Sequence, residues 1–406
     1  MYIKRHIEDA VTERAKERGA IVVTGARQVG KTTLIDRLKP NISRISFDDI
    51  SVRVRTREDP AGFLQLNPPP AFFDEVQYVP EIFPYIKMIL DKSHKKGEFF
   101  LTGSQSFELM QNVTESLAGR AGILRLLGLS IREMKNESWN KPFLPTLEYL
   151  MPRREDKVSS SSRDIWSIIH RGCMPELFKE SSFSWQNFYS DYVRTYIERD
   201  VSKLTQVADE GDFLKFLSVC AAMTGSLLNL ASLSRDVGIS EPTAKRWLSI
   251  LRTTGIVYLL KPYSNNIISR TVKTPKIYFL DTGLAAYLTR WMTQETLSEG
   301  AMSGQFFETF VISELIKSYT NSGSEEEFYF YRDSNGKEID LLIFQDNTLY
   351  PIEIKQHLNP TPKDIKNFTV LDSIKNVHIG EGGVISLAQE LLPLANGHRI
   401  IPVWAI

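Results

Sequence analysis

The octapeptide Gly25-Ala26-Arg27-Gln28-Val29-Gly30-Lys31-Thr32 constrains this chain more than any other stretch. It follows the apolar run Ala20 to Val23 and leads into a helix-like segment, Thr33 to Leu38, so it fits G-x-x-x-x-G-K-T in a strand, loop and helix context. Each residue type has a physical reason. Glycines let backbone N–H groups converge on phosphate oxygens, Lys31 brings a point charge to the β and γ phosphates, and the Thr32 hydroxyl can ligate Mg²⁺. ATP is the expected ligand, held by Gly25 to Thr32 with Thr33 beside them. The competing reading is a Gly-rich turn in some other strand–helix unit.

At 406 residues and 42% hydrophobic content, the chain has room for two or three domains with real cores. Lys+Arg and Asp+Glu are equal at 49, so bulk charge draws it to no polyanion, and any nucleic-acid site must be a local patch. Cys173 and Cys220 stand in neither a metal-ligand spacing nor a disulfide framework and read as buried thiols in a reducing compartment. Met1 to Arg18 is charged and helix-periodic (Ile3, Ile7, Val11) without an apolar signal core, and no run approaches the roughly eighteen apolar residues of a membrane span. A cytoplasmic protein with no membrane partner is expected.

The first module is placed at residues 1–140. Arg44 to Asp49 reads as a short strand ending in acids, and Glu58-Asp59-Pro60 opens another helical stretch. Pro70 to Glu75 is an apolar strand ending in Asp-Glu, the second half of an ATPase site: Asp74 would hold the Mg²⁺ shell and Glu75 would polarise the attacking water. Taken alone, such a run is only a strand end. A third run, Glu98 to Ser104, suits the neighbouring strand that senses γ-phosphate or water, with Thr102 or Ser104 as the sensing side chain; a plain strand and turn is the alternative. Arg120, in Ser116-Leu117-Ala118-Gly119-Arg120, reads either as a γ-phosphate sensor or arginine finger, or as a surface Arg capping a helix. Strands alternating with helices imply a parallel sheet with helices on both faces.

The combination of Gly-Ala-Arg-Gln-Val-Gly-Lys-Thr-Thr, Phe-Phe-Asp-Glu-Val-Gln, Leu-Thr-Gly-Ser and Leu-Ala-Gly-Arg resembles the AAA-type ATPases of bacteria and archaea that carry a C-terminal domain of unknown function. Tyr192 to Val201 in the middle of the chain shares the likeness. The resemblance implies an ATP-binding, Walker-type core of the AAA/ASCE kind, with Lys31, Thr32, Asp74 and Glu75 at the family's motif positions. It implies no physiological role.

Pro142, Pro145 and Pro152, a charged run and Ser159 to Ser162 read as a surface linker over residues 141–165. The middle domain, 166–290, opens helical: Phe188, Tyr192 and Tyr196 with Val193, Ile197 and Val201 form an apolar face of core type, and Arg194 and Arg199 on the polar side are candidates to reach a neighbouring subunit's nucleotide in a homo-oligomer. Leu230 to Val237 reads as a helix and Glu241 to Thr254 as a second one, with Ser240 as N-cap and Gly255 past its end. Two β-like runs, Ile256 to Leu260 and Lys276 to Leu280, complete the outline of a winged helix-turn-helix. Lys245, Arg246, Arg252, Lys261, Arg270, Lys273 and Lys276 face the single acid Glu241, a local excess that suits a DNA backbone, with Lys245, Arg246, Arg252 and Lys273 as contact candidates. A winged helix used for packing, with a solvated basic face, is the alternative.

In the last domain, 291–406, Gly304 to Ser318 has an amphipathic helix pattern carrying Glu308 and Glu314, and Phe328 to Arg332 reads as a strand. Glu338 to Phe344 and Thr348 to Gln356 form a hairpin around Asp346-Asn347. Pairing Gln345 with Thr348 places Asp340 opposite Glu353, with Lys355 on the same face. Like charges directly opposite destabilise a sheet, which a divalent cation between them would cure. Asp340 with Glu353-Ile354-Lys355, preceded by a helix bearing Glu308, resembles the core of restriction-endonuclease-like nucleases. That resemblance implies a second metal site at Asp340 and Glu353, with Lys355 assisting the attacking water. Lys355 pairing with Glu338, and a solvated Glu353, are the alternatives, and Ile339 stands where that family often has proline.

The fold expected is thus α/β multidomain: a P-loop NTPase parallel sheet, a helical winged-helix middle domain and a C-terminal α/β restriction-endonuclease-like domain. The expected function is Mg²⁺-dependent ATP hydrolysis acting on DNA-binding and nuclease-like modules. An ATP-dependent nuclease in genome defence and a slow nucleotide-switched DNA-binding regulator are the other readings.

Overall fold

A computed structural model describes residues 2–104, 113, 115–155, 161–179, 182–196, 210–263 and 274–406. Strands β1 (Ala20–Gly25), β2 (Ser43–Ser46), β3 (Ala71–Asp74), β4 (Phe99–Ser104) and β5 (Ala121–Arg125) form a parallel sheet in the order β2-β3-β4-β1-β5. Side chains alternate across a strand, and here alternate residues enter two different cores. Ile21, Val23, Phe72 and Phe100 join one cluster, while Ala20, Val22, Phe73, Phe99 and Leu101 join the other. That two-sided burial is why these strands read as unbroken apolar runs. Because β4 lies between β1 and β3, the loop after Gly25 and the acid ending β3 flank one central strand.

Local signals set most boundaries here. Asp49 caps helix Ile50–Glu58 by accepting from the N–H groups of Ser51 and Val52, and Asp59 caps the helix Pro60–Leu66 that follows. The N-terminal helix is shorter than its periodicity suggested, Ile7–Glu17, which leaves Ile3 outside it. The stretch read as a surface linker is folded where its prolines lie, while residues 156–160 of it lie outside the described residues. Helix Leu147–Glu155 runs through Pro152, and Phe143, Leu150 and Arg153 are buried. Burial of these side chains, with Phe143 edge-on to Tyr149 at 5.1 Å, outweighs the local breakers; Arg153 Nη2 also donates to Trp404 O at 2.8 Å.

The middle of the chain holds helices Ser162–Arg171, Pro175–Lys179, Trp185–Tyr196 and Glu210–Ala222, then β6 (Ser226–Leu227). Phe188, Tyr192 and Val193 are buried, as a core stripe should be; Ile197, Arg199 and Val201 lie outside the described residues. Helices Leu230–Val237 and Glu241–Thr253 follow, and Ser240 caps the second by accepting from Thr243 N–H. β7 (Val257–Pro262) and β8 (Lys276–Phe279) pair antiparallel, Val257 opposite Phe279.

Helix Ser303–Asn321 departs from its expected amphipathic pattern: every residue from Thr309 to Asn321 is buried. Its Glu314 and Lys317 are answered inside the protein, which is how a helix enclosed on all sides keeps Glu and Lys. Beyond it, β9 (Phe328–Arg332), β10 (Glu338–Gln345), β11 (Thr348–Lys355), β12 (His378–Ile379), β13 (Gly383–Ser386), β14 (Leu392–Pro393) and β15 (Arg399–Pro402) build a second sheet. Gln345 pairs with Thr348, and Asp346 and Asn347 have φ of 50° and 58°, as a two-residue primed turn requires. This sheet runs β14-β15-β13-β11-β10-β9-β7-β8-β6, with β12 on β11. β7 joins β9 in parallel through Lys261–Tyr329 and Pro262–Phe330. One continuous sheet therefore crosses the boundary drawn at residue 290, because β7 would otherwise present an unpaired edge.

Among the described residues no helix is long and apolar enough to cross a membrane. Ile312 has no solvent exposure. Ile312→Ala is expected to cost about 2–5 kcal/mol, read as a lowered urea midpoint; an unchanged midpoint would show that the helix is not part of the core.

Candidate functional site

Gly25 ends β1 where a Cβ would lie 2.1 Å from Leu126 O, so only glycine fits. Gly30, at φ 95°, caps helix Lys31–Leu38 without a side chain and leaves its first N–H groups open. Lys31 is buried, and its Nζ donates to Gly25 O at 3.1 Å and Ala26 O at 2.9 Å. Thr32 Oγ1 donates to Asp74 Oδ1 at 3.1 Å and Oδ2 at 3.0 Å. The buried Asp74 also accepts from Thr102 Oγ1 and, at 3.2 Å, from Arg44 Nη2. Glu75 adopts a left-handed conformation that turns the chain sharply after β3, and its carboxylate accepts from Gln77.

Gly30, Lys31, Thr32 and Glu75 open onto a cleft of ≈ 690 Å³. Arg27, Gln28, Gly30, Lys31, Thr32, Thr33 and Glu75 form one wall; Pro175, Glu176, Lys179, Phe183 and Thr195 form the other. No motif marks the second wall in the sequence, because only the packing of the middle helices brings it there. Arg44 and Arg5 carry no motif either: β2 beside β3 brings Arg44 to Asp74, and Arg5 Nη1 donates to Val29 O at 2.8 Å.

The remaining candidates divide. Thr102 orients Asp74, and Ser104 pairs with Gly25 at the end of β4. Arg120 is not in the cleft. It precedes Ala121, which pairs with Ala20 at the start of β1, so it lies at the opposite end of the sheet, a strand length of about 17 Å from the loop. Its guanidinium pairs with Asp91 on the surface, which agrees with the plainer of its two readings. Arg194 is exposed on its helix, and Arg199 lies outside the described residues.

A second group of ionisable side chains gathers in the other sheet. Lys355 Nζ donates to Asp340 Oδ2 at 3.0 Å and Glu353 Oε2 at 2.7 Å, so Lys355 does not pair with Glu338, and Glu353 is buried rather than solvated. Glu338 instead meets Lys276 Nζ at 2.6 Å and Arg332 at 3.0 Å. Lys276 also donates to Glu308 at 3.0 Å, and Tyr278 OH donates to the same oxygen at 2.6 Å. Burial and the neighbouring Asp340 charge push the Glu353 carboxyl up to about 9. Burial alone would raise Asp340, but the Lys355 and Lys276 ammoniums outweigh it and hold it low. Glu308 is raised by burial, against the pull of Lys276. Lys355 thus stands between Asp340 and Glu353, where a metal ion was expected, and among the described residues no three His, Cys, Asp or Glu side chains gather as a metal-binding group.

Lys245, Arg246 and Arg252 are exposed on helix Glu241–Thr253, while Ala244, Trp247, Leu248 and Leu251 face inward. Lys245 and Arg252 border an apolar groove floored by Leu227, Leu230, Leu248 and Leu259. Lys276 leaves the basic face altogether, being 4% exposed, and Arg270 and Lys273 lie outside the described residues.

Residues 17–135 match the family described as AAA domain. Residues 162–295 and 303–406 match two domains of unknown function, DUF8612 and DUF4143. The chain is 29% identical over 368 residues to uncharacterized protein Rv2008c of Mycobacterium tuberculosis, covering 89% of this chain and 76% of that one. Uncharacterized protein MJ1544 of Methanocaldococcus jannaschii is 24% identical over 360 residues, covering 84% and 76%. Among solved structures, the Walker-type ATPase paby2304 of Pyrococcus abyssi is similar at 16% identity, 71% of this chain, 96% of that chain and a TM-score of 0.44. The RuvB Holliday junction branch migration motor of Thermotoga maritima stands at 17%, 67%, 88% and 0.29. The AAA-domain match covers β1 to β5 with the loop and both acids, and this part of the chain is a P-loop AAA-type ATPase fold.

A carboxyl titrating near 9 in the fold and near 4.3 in the unfolded chain binds a proton that unfolding releases, so its contribution to stability is lost as pH rises. The thermal midpoint is expected to fall between about pH 5 and pH 9, and Glu353→Gln to flatten that decline. An identical slope in the variant would place Glu353 in water.

Proposed function

We propose that this chain is a Mg²⁺-dependent ATPase whose nucleotide cleft, shared between the P-loop sheet and the middle helices, couples ATP binding and hydrolysis to the rest of the chain. One observation carries the reading: Lys31, Thr32 and Glu75 line one cleft, and the Thr32 hydroxyl there is bonded to the buried Asp74 carboxylate. The Thr32 hydroxyl and Asp74 carboxylate are hard oxygen donors in mutual contact, the donor chemistry that suits Mg²⁺. Bound there with ATP, the ion would neutralise charge on the β and γ phosphates. The open N–H groups after Gly30 bind the phosphates, and Lys31 neutralises them. Thr102 and Arg44 fix the Asp74 carboxylate, and Glu75 orients the attacking water.

A second reading, nuclease chemistry on DNA in a restriction-endonuclease-like domain beside a winged helix, is favoured by the convergence of Asp340, Glu353 and Lys355 and by a buried Glu353 Oε1 without a hydrogen-bond partner. Against it, Lys355 already bridges Asp340 and Glu353, and Lys276 already answers Glu308 and Glu338. It expects linear or circular duplex to be cut with Mg²⁺ or Mn²⁺, and cutting to vanish in Asp340→Asn. Intact DNA, or cutting that survives the substitution, removes it.

For the ATPase, Lys31→Ala is expected to abolish nucleotide binding and turnover, and Glu75→Gln to keep binding while lowering phosphate release at least about a hundredfold. Undiminished phosphate release by Lys31→Ala would sink the reading.

A further inference from the structure

Arg5 belongs to no motif, yet it is 3% exposed and has partners on three segments. Its Nε donates to Glu133 Oε1 at 3.0 Å, Nη1 to Val29 O at 2.8 Å, and Nη2 to Leu127 O at 2.7 Å and Gly128 O at 3.3 Å. Glu133 is buried too and accepts from His6 N–H and Ser130 N–H, each at 2.8 Å. A guanidinium that served only as a counter-ion would spend its donors on the carboxylate. This one spends most of them on main-chain carbonyls, and one of those belongs to the phosphate-binding loop.

Peptide planarity gives that bond its consequence. In a trans peptide the C=O and the following N–H point in opposite directions. Holding Val29 O toward Arg5 turns the N–H of Gly30 to the other side of the loop, and Gly30 lines the nucleotide cleft. The same bond keeps a carbonyl dipole from swinging toward an anion, where it would repel the phosphates. Gly30 itself cannot enforce this, since its φ of 95° is open to a residue free to rotate either way. The restraint has to come from outside the loop, and Arg5 is positioned to supply it.

We infer that Arg5 is a positioning residue for nucleotide binding: from the far side of the P-loop it locks the Val29–Gly30 peptide in the orientation that presents N–H groups to phosphate. This rests on the ATP reading above. Glu133 has a separate task, balancing the charge of the buried guanidinium, while the carbonyls of Val29, Leu127 and Gly128 set its position, and this division makes the inference testable.

MgATP affinity and turnover are measured on the full chain for wild type, Arg5→Ala, Arg5→Lys and Glu133→Gln, alongside thermal midpoints. Arg5→Ala is expected to raise Kd and KM about tenfold or more, the loss of one charge-assisted hydrogen bond at the loop, with kcat changed less than about threefold. Arg5→Lys, which keeps one donor toward Val29 O, is expected to recover part of the affinity and serves alone if Arg5→Ala does not fold. Glu133→Gln is expected to lower the midpoint while leaving Kd within about threefold. The inference is overturned if both Arg5 variants bind MgATP as wild type does, or if Kd simply tracks the midpoint across the three variants. Wild type that binds no nucleotide sinks the ATP reading as well, whereas wild-type binding with unaltered Arg5 variants overturns this inference alone.

Discussion

A guanidinium taken out of water needs its donors answered, and the Arg5–Glu133 pair does so by drawing the N-terminal segment, the P-loop and the segment after β5 onto one point. Replacing such a pair by apolar residues often costs little stability, so its value lies in specificity. Here it fixes which carbonyls face inward at Val29, Leu127 and Gly128. Burial would raise the Glu133 carboxyl, but Arg5 and two backbone N–H groups hold it low and charged.

The same short segment ties the ATPase sheet to the C-terminal half. Ile131 N–H donates to Glu314 at 2.8 Å, and Lys317 bridges Glu314 and Leu129 O. Six residues before Glu314, about 9 Å along helix Ser303–Asn321, Glu308 takes the Lys276 ammonium from β8. One buried helix therefore touches the nucleotide module with one stretch and the second sheet's acid cluster with another. Lys276 stitches β8 to both the helix and β10, where the sheet passes from the middle of the chain into its last part.

Where one short stretch holds both the cause and the consequence, the structure was legible in the sequence. The phosphate-binding loop, the apolar strand ending at Asp74, the Ser240 cap and the Asp346-Asn347 turn are of this kind, and the turn alone set the register that brings Asp340 and Glu353 to Lys355. What was not legible depends on partners far along the chain. Arg5 is 128 residues from Glu133. Lys276, counted by composition as part of a basic face, is buried because Glu308 and Glu338 arrive from elsewhere. Helix Ser303–Asn321 read as amphipathic with Glu308 and Glu314 on it, when each of these acids is answered inside the protein. Arg120 shows the converse: its neighbours suggested a sensor, and the parallel register puts it at the wrong end of the sheet.

Hydrogen exchange of the wild-type chain, with and without a non-hydrolysable ATP analogue and Mg²⁺, tests most directly whether this cleft binds nucleotide and whether binding is felt through the buried arginine. Added protection is expected at the amides of residues 28–33 and, beyond the reach of the ligand itself, at residues 127–133. Unchanged exchange in the loop would contradict nucleotide binding, and protection confined to the loop would contradict the tie that Arg5 makes between the two segments.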